Sequence, residues 1–209
     1  MMKGKLITFE GCEGVGKSKQ ITLLKEYLEN SGQNPLVFRE PGSTNISEGI
    51  RGVILDPKNT DMSNECELLL YLSARAQLVR EQLQPALQDG RLVICDRYID
   101  SSVAYQGYAR GLGEEIVSSL NAFAIDNCIP DCTIFLDLKP EDAFKRKGGA
   151  DISDRLESED LSFHKRVYQG YLAAKKNSNG RICSIYPIGS VTDTQNKIRS
   201  LLKEKGLIK

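Results

Sequence analysis

Apolar residues gather in five short runs: Leu6-Ile7-Thr8-Phe9, Leu36-Val37-Phe38-Arg39, Leu92-Val93-Ile94-Cys95, Thr133-Ile134-Phe135-Leu136-Asp137 and Ile182-Cys183-Ser184-Ile185. Hydrophobicity that is continuous over four or five positions and bounded by turn residues predicts strands buried on both faces. The intervening segments carry helical spacing instead. Ile21, Leu23, Leu24, Tyr27 and Leu28 recur up to a stop at Ser31-Gly32. Ser47 is the expected cap of a helix bearing Ile50, Val53, Ile54 and Leu55. Ser63 is the expected cap of a long helix that buries Leu68, Leu69, Leu72, Leu78, Val79 and Leu83 and sets Tyr71 and Arg75 on one side, i and i+4.

Further along, Ser101-Ser102 opens a short polar helical segment with Tyr105, Gln106 and Tyr108, and a helix follows from Glu114 to Ile125. Pro140 begins another helix at the first-turn position proline favours. A helix over 161–177 turns Phe163, Val167, Tyr168 and Tyr171 inward, and Thr192 caps a last helix with Ile198, Leu201 and Leu202. Glu40-Pro41-Gly42-Ser43 and residues 56–61 read as turn and loop. Strands alternating with helices predict an α/β fold with a parallel sheet covered on both faces and ligands at the carboxyl ends of the strands. No repeat, low-complexity tract or boundary divides the chain, so residues 1–209 are expected to form one domain.

Composition narrows the partners. Lys plus Arg equals Asp plus Glu at 28 each, which excludes a general basic surface for nucleic acid. No apolar window reaches the length of a membrane span, and Met1-Met2-Lys3-Gly4-Lys5 runs straight into the first strand, where a signal peptide would need room. The six cysteines are scattered, and Cys128-x-x-x-Cys132 with a remote His164 falls short of the four ligands of a structural zinc site. Free thiols in a reducing cytoplasm are the expectation.

The candidate chemistry centres on Gly11-Cys12-Glu13-Gly14-Val15-Gly16-Lys17-Ser18, a full G-x-x-x-x-G-K-[ST] match between a strand and a helix. Backbone N–H groups of such a loop close around phosphate oxygens at a helix N-terminus. Lys17 then reaches the outer phosphates, and the Ser18 hydroxyl ligates Mg²⁺. Glu13 is unexpected among triphosphate oxygens. It holds Mg²⁺ through water, accepts from a sugar hydroxyl of a second substrate, or turns into solvent. The loop offers no cation beyond Lys17, so any other comes from elsewhere. Asp96 closes an apolar strand, the position of a second magnesium-associated carboxylate, although a cap or a loop ion pair also fits. Arg97 beside it is suited to gripping phosphate.

Arg39, Arg75, Arg97 and Arg155 exceed what one triphosphate needs and indicate a second anionic, ring-bearing substrate. A phosphate monoester, with a second pKa of about 6, is already a nucleophile near neutrality. It needs no general base, only alignment and charge neutralisation.

Phe9-Glu10-Gly11 with the Glu13-bearing loop, Arg39-Glu40-Pro41-Gly42, Asp96-Arg97-Tyr98, Ser101-Ser102-x-x-Tyr105-Gln106-Gly107, Pro130-Asp131-x-Thr133 and Asp154-Arg155-Leu156-Glu157 together resemble the bacterial thymidylate kinase family over nearly the whole chain. The resemblance implies a P-loop NTPase three-layer fold with a five-stranded parallel sheet and a short lid at about 145–155. It further implies a homodimer, and Mg²⁺-dependent transfer of phosphoryl from ATP to dTMP. On this reading ATP is bound by Gly11, Cys12, Glu13, Gly14, Val15, Gly16, Lys17, Ser18 and Lys19, with Arg146 from the lid. Mg²⁺ is held by Ser18 and, through water, Asp96. Glu13 meets the acceptor's 3′-hydroxyl, Arg39 and Arg97 its phosphate, and Tyr71 lies on thymine where relatives often have Phe. Arg75, Ser102 and Gln106 bond the thymine edges, and Tyr105 sits under the deoxyribose, where a 2′-hydroxyl would crowd it. Lys17, Arg97, Glu13 and the lid residue Arg155 are the catalytic candidates.

Two stretches depart from the family pattern. Lys147-Gly148-Gly149-Ala150 stands where relatives often carry further arginines, and Tyr186-Pro187-Ile188-Gly189-Ser190 replaces an Asp-containing stretch. Rival functions are a deoxynucleoside kinase, which needs a base to deprotonate a hydroxyl, and a nucleotide-gated switch without transfer. A GTPase is disfavoured because Asn196-Lys197-Ile198-Arg199 lacks the Asp of N-K-x-D.

Overall fold

The computed structural model describes residues 4–147, 155–156 and 158–209, so most of the expected lid lies outside the described residues. In chain order the elements begin β1 (Lys5–Glu10), α1 (Lys17–Asn30), β2 (Leu36–Arg39), α2 (Asn45–Leu55) and α3 (Asn64–Leu78). They continue with α4 (Gln84–Gln88), β3 (Leu92–Asp96), α5 (Ile99–Ser102), α6 (Glu114–Ile125) and β4 (Cys132–Leu136). The last are α7 (Pro140–Lys147), α8 (Leu161–Lys176), β5 (Ile182–Ile185) and α9 (Val191–Glu204). Widened, π-type turns at Val79–Leu83 and Val103–Ala109 continue α3 and α5.

The five strands pair in parallel in the order β2-β3-β1-β4-β5. Register sets Phe9 of β1 against Asp96 of β3 and Ile134 of β4, and Arg39 of β2 against Asp96. Successive side chains of a strand enter opposite faces, and the core divides accordingly. Ile7, Phe9 and Ile94 join one cluster with helix residues such as Leu24, Val167 and Ile198. Leu6, Val93 and Cys95 join the other with Leu78, Leu83 and Tyr98. Covering on both faces explains why these strands read as continuous apolar runs. The chain runs from β1 out to β2 at the edge, returns to β3 and then crosses past β1 to β4, so the strand order reverses beside β1 and the P-loop leaves that strand at this switch point.

Three local expectations are corrected. Thr44, not Ser47, caps α2, with its hydroxyl accepting from Ser47 N at 3.1 Å. Ser47 is buried inside the helix and donates to Ala74 O at 2.8 Å, tying α2 to α3. Ser190, not Thr192, caps α9 in a reciprocal box with Asp193. Leu69 faces outward, 54% exposed. Ser63 does cap α3, accepting from Cys66 N.

Helix α8 packs closely on the turn Val103–Ala109. At Gly170 a Cβ atom would come within 2.6 Å of Ala104 Cα, a distance real side chains do not reach. That contact presses the turn carrying Tyr105 and Gln106 toward the carboxyl edge of the sheet.

Candidate active site

The P-loop is shaped by two glycines. Gly11 has φ 145°, and a Cβ there would lie 2.9 Å from Leu136 O. Gly16 caps α1 in the left-handed region at φ 92° without a side-chain cap bond. The first N–H groups of α1 thus open toward an anion, with no acidic residue in the first turn to compete. Lys17 folds back so that Nζ donates to Gly11 O at 3.0 Å and Cys12 O at 3.1 Å. Burial, then the nearby Arg97, lowers its pKa below the ordinary lysine value. Lys19 lies outside the loop and lines a cleft with Gly14, Gly16, Arg146, Pro187 and Gly189.

Ser18 Oγ donates to Asp96 Oδ2 at 3.4 Å, and Asp96 Oδ1 is buried without a hydrogen-bond partner. A hydroxyl and an under-satisfied carboxylate side by side fit the oxygen preference of Mg²⁺, which takes one or two protein oxygens and completes its shell with phosphate and water.

Arg97 follows β3 in the left-handed region, φ 67°, an uncommon conformation for a side chain of this size. Its backbone N–H bonds Phe9 O at 2.9 Å, and its guanidinium is turned to the P-loop. Nη1 reaches Gly11 O at 3.2 Å, Ser101 Oγ at 3.3 Å and Tyr171 OH at 3.0 Å. Nη2 forms a close ion pair with Glu13. Tyr105 donates to Glu13 at 3.2 Å and offers its ring face to Arg97 at 5.2 Å.

Beneath them Glu10 is fully buried. It accepts from Tyr98 N at 2.8 Å, Ser101 Oγ at 2.6 Å and Tyr171 OH at 2.9 Å. Its bonds aim the lone pairs of both hydroxyls at Arg97. Burial, reinforced by Asp100, pushes its pKa up to about 7.

Beside Arg97 opens a small, partly enclosed cavity. Glu13, Tyr71, Arg75, Tyr105 and Gln106 share its wall with Glu40, Ser102 and Leu156. Arg75 is 1% exposed, and its guanidinium meets Glu40 Oε2 at 2.7 Å, Ser102 Oγ at 2.8 Å, Asn121 Oδ1 at 2.5 Å and Tyr98 O at 3.0 Å. Those bonds occupy most of its five donors. Glu40 Oε1 is buried with no partner, and burial raises the Glu40 pKa against the pull of Arg75. Gln106 donates to Glu67 at 2.9 Å.

Two arginines are placed otherwise than the sequence leads one to expect. Arg39 is spent on Glu48, at 2.9 Å to each oxygen, and on Pro41 O at 3.1 Å, so it is not on the cavity wall. Arg155 is not poised at the P-loop. Its Nε donates to Ile54 O at 3.0 Å, its N–H to Leu55 O at 3.3 Å and Nη2 to Glu67 at 2.5 Å. Arg146 of α7 lines the cleft beside the P-loop, with Nη2 on Pro187 O at 2.7 Å.

Sequence reading passed over Glu10, Glu40, Glu67 and Tyr171 as functional groups. Glu10 had a signal: a lone carboxylate closes an apolar strand, as Asp96 does. Tyr171 reads as core from its spacing, and only the fold shows its hydroxyl meeting Arg97.

A phosphate-binding loop with its lysine, joined to an arginine-floored cavity with an aromatic wall, defines a P-loop phosphotransferase with room for a second substrate. Residues 9–198 match the family model described as thymidylate kinase. A thymidylate kinase of Thermoanaerobacter sp. (strain X514) is 46% identical over 203 residues, covering 97% of this chain and 99% of that one. One from Caldanaerobacter subterraneus subsp. tengcongensis is 50% identical over 176 residues, 84% of each chain. The crystal structure of thymidylate kinase from Ehrlichia chaffeensis superposes with a TM-score of 0.79 at 30% identity, covering 96% of this chain and 98% of that one. The chain belongs to the thymidylate kinase family, the kinases of dTMP.

Proposed function

We propose that the chain transfers the γ-phosphoryl group of ATP to the phosphate of dTMP, giving dTDP, and that the two phosphate sites meet at the carbonyl of Gly11. The observation that carries this is geometric. Gly11 O takes Lys17 Nζ at 3.0 Å and Arg97 Nη1 at 3.2 Å. A cation from the triphosphate loop and one from the acceptor cavity therefore converge on one oxygen. In-line transfer requires this proximity, since positioning and charge neutralisation make up most of the catalysis.

Lys17 draws charge off the outer phosphates, and Arg97 holds the acceptor phosphate with its guanidinium oriented by Ser101, Tyr171 and Glu10. Arg39 joins Arg97 only on leaving Glu48. Glu13, set between Arg97 and Tyr105, receives the sugar 3′-hydroxyl, and Tyr105 crowds a 2′-hydroxyl. Tyr71 stacks on the base, and Arg75, Ser102 and Gln106 line its edge. Ser18 and Asp96 would hold Mg²⁺, which would supply charge neutralisation at the phosphates when bound. Arg146 takes the transition-state role that sequence assigned to Arg155, because it lies on the P-loop side.

The family resemblance implies a homodimer, and several large apolar side chains of this chain stand exposed. Val53 of α2, Leu69 of α3, and Ile116 and Phe123 of α6 are exposed, Phe123 by 87%. Because α3 packs on both α2 and α6, these positions support a homodimer. Among the described residues no helix is long and apolar enough to cross a membrane. Cytoplasmic residence is part of the proposal.

A coupled assay of ADP release with each nucleoside monophosphate, and with thymidine, tests the reading. Rapid turnover with dTMP and none with thymidine is expected. ATP turnover indifferent to dTMP, or a preference for thymidine, would overturn it.

A further inference from the structure

Glu67, near the start of α3, is 1% exposed and no part of the reaction above uses it. Its carboxylate nevertheless gathers three partners. Gln106 Nε2 lies 2.9 Å from Oε1, Arg110 Nε and Nη2 lie 3.2 and 3.1 Å from Oε1 and Oε2, and Arg155 Nη2 lies 2.5 Å from Oε2. Burial pushes the Glu67 pKa up, but bonds from Arg110 and Gln106 and the charges of Arg110 and Arg155 overcome it and hold the group below the ordinary glutamate value. The carboxylate is therefore ionised at neutral pH and accepts hydrogen bonds only.

That settles which way the Gln106 amide points. The side chain has a donating end and an accepting end, and an ionised carboxylate tolerates only the –NH₂. The oxygen Oε1 is left for the cavity that Gln106 lines. An acceptor there matches a nucleobase with a ring N–H and faces lone pair to lone pair a base with a bare ring nitrogen.

We infer that Glu67 is a positioning residue for base selection: it locks the Gln106 amide with its oxygen toward the acceptor cavity, so that the site admits the imide edge of thymine or uracil and refuses cytosine. The inference rests on the placement of the acceptor base against Gln106 proposed above. It also assigns the discrimination of dTMP from dUMP elsewhere, because the two share this edge. Loss of a buried hydrogen bond at such a site corresponds to roughly a tenfold to hundredfold weakening.

The test is equilibrium binding of dTMP, dUMP and dCMP to the full chain and to Glu67→Gln, with ATP affinity measured alongside as a check on folding. The neutral amide of the variant presents either end to Gln106 and frees it to rotate. The dTMP-to-dCMP preference is expected to fall at least tenfold. Equal weakening of both, or an unchanged preference, would mean Glu67 is only structural. Gln106→Leu separates the two layers. If it leaves the preference intact, the base does not lie against Gln106 and the placement itself fails. If it abolishes the preference while Glu67→Gln keeps it, only the role of Glu67 fails. The unaltered chain gives a readout independent of any variant's folding. Acid protonates the cytosine ring nitrogen and turns it into a donor, so dCMP affinity should rise relative to dTMP as pH falls. A constant ratio overturns the proposal.

Discussion

Arg146 and Arg155 are held on different sides of the active site. Arg146 bonds Pro187 O in the cleft shared with the P-loop, whereas Arg155 bonds Ile54 O and the buried Glu67 on the acceptor side. The two arginines are therefore expected to have separate duties. Arg146→Ala is expected to lower kcat by on the order of a hundredfold or more with acceptor KM little changed. Arg155→Ala is expected to raise acceptor KM and lower Tm by roughly 5–10 °C, as loss of a buried ion-pair partner costs about 3 kcal/mol or more. Steady-state kinetics and calorimetry check both. A loss confined to kcat in Arg155→Ala would return the transition-state role to that residue.

Asp96 is expected to act on magnesium from behind a water. Asp96→Asn should then raise the Mg²⁺ concentration for half-maximal rate by about tenfold to a hundredfold, the usual size of an outer-sphere loss. Ser18→Ala should act in the same direction. Rates titrated with Mg²⁺ at saturating nucleotide decide the point. A half-saturation unmoved by either change removes these residues from the metal site.

Two buried groups bend the pH dependence of stability in opposite senses. Glu10 titrates at about 7 in the fold against 4.5 when unfolded. Between those values the folded chain holds more protons, so this contribution falls as pH rises, by on the order of 3 kcal/mol in all. His164 is edge-on to Phe144 and Phe163 with neither ring nitrogen bonded, and burial lowers its pKa. The unfolded chain takes that proton first, so stability is lost as pH falls below the ordinary histidine value of about 6.5. Denaturant midpoints from pH 4.5 to 7.5 should therefore differ between variants. Glu10→Gln should remove a decline with rising pH, and His164→Leu a decline with falling pH. Parallel curves for wild type and variants would contradict both.

Phe123 of α6 is 87% exposed, more than any other large apolar residue among the described residues. Phe123→Asp is expected to shift the chain from dimer to monomer, because a carboxylate buried against apolar side chains without a partner is strongly disfavoured. Sedimentation equilibrium reads this directly. A dimer that persists with unchanged affinity places the interface on another face.

The strands and the P-loop were legible because their signals are local: continuous apolar runs, glycines at the turn, a lysine and serine at fixed offsets. The caps were harder. Thr44 and Ser47 are both good cap residues three positions apart, and only the packing of Ser47 against Ala74 decides between them. The arginines were harder still. A basic residue advertises charge but not the carboxylate that claims it, and Glu67 lies 88 positions from Arg155 in sequence. Buried carboxylates such as Glu10 and Glu40 are likewise invisible to hydrophobic patterning, since their burial depends on hydroxyl and guanidinium partners brought in from other elements.

The missing atom at Gly170 has a bearing on which nucleotides this enzyme can be made to accept. Helix α8 lies against Ala104 at backbone distance, and the next two residues of the turn are Tyr105 and Gln106. The width of the substrate chamber is therefore set from outside it, by how far a neighbouring helix lets the wall recede. A methyl group at position 170 would meet the backbone of Ala104 and push that turn inward, narrowing the chamber without touching substrate. Selectivity for the size of the sugar or base thus has an adjusting point hidden from every ligand.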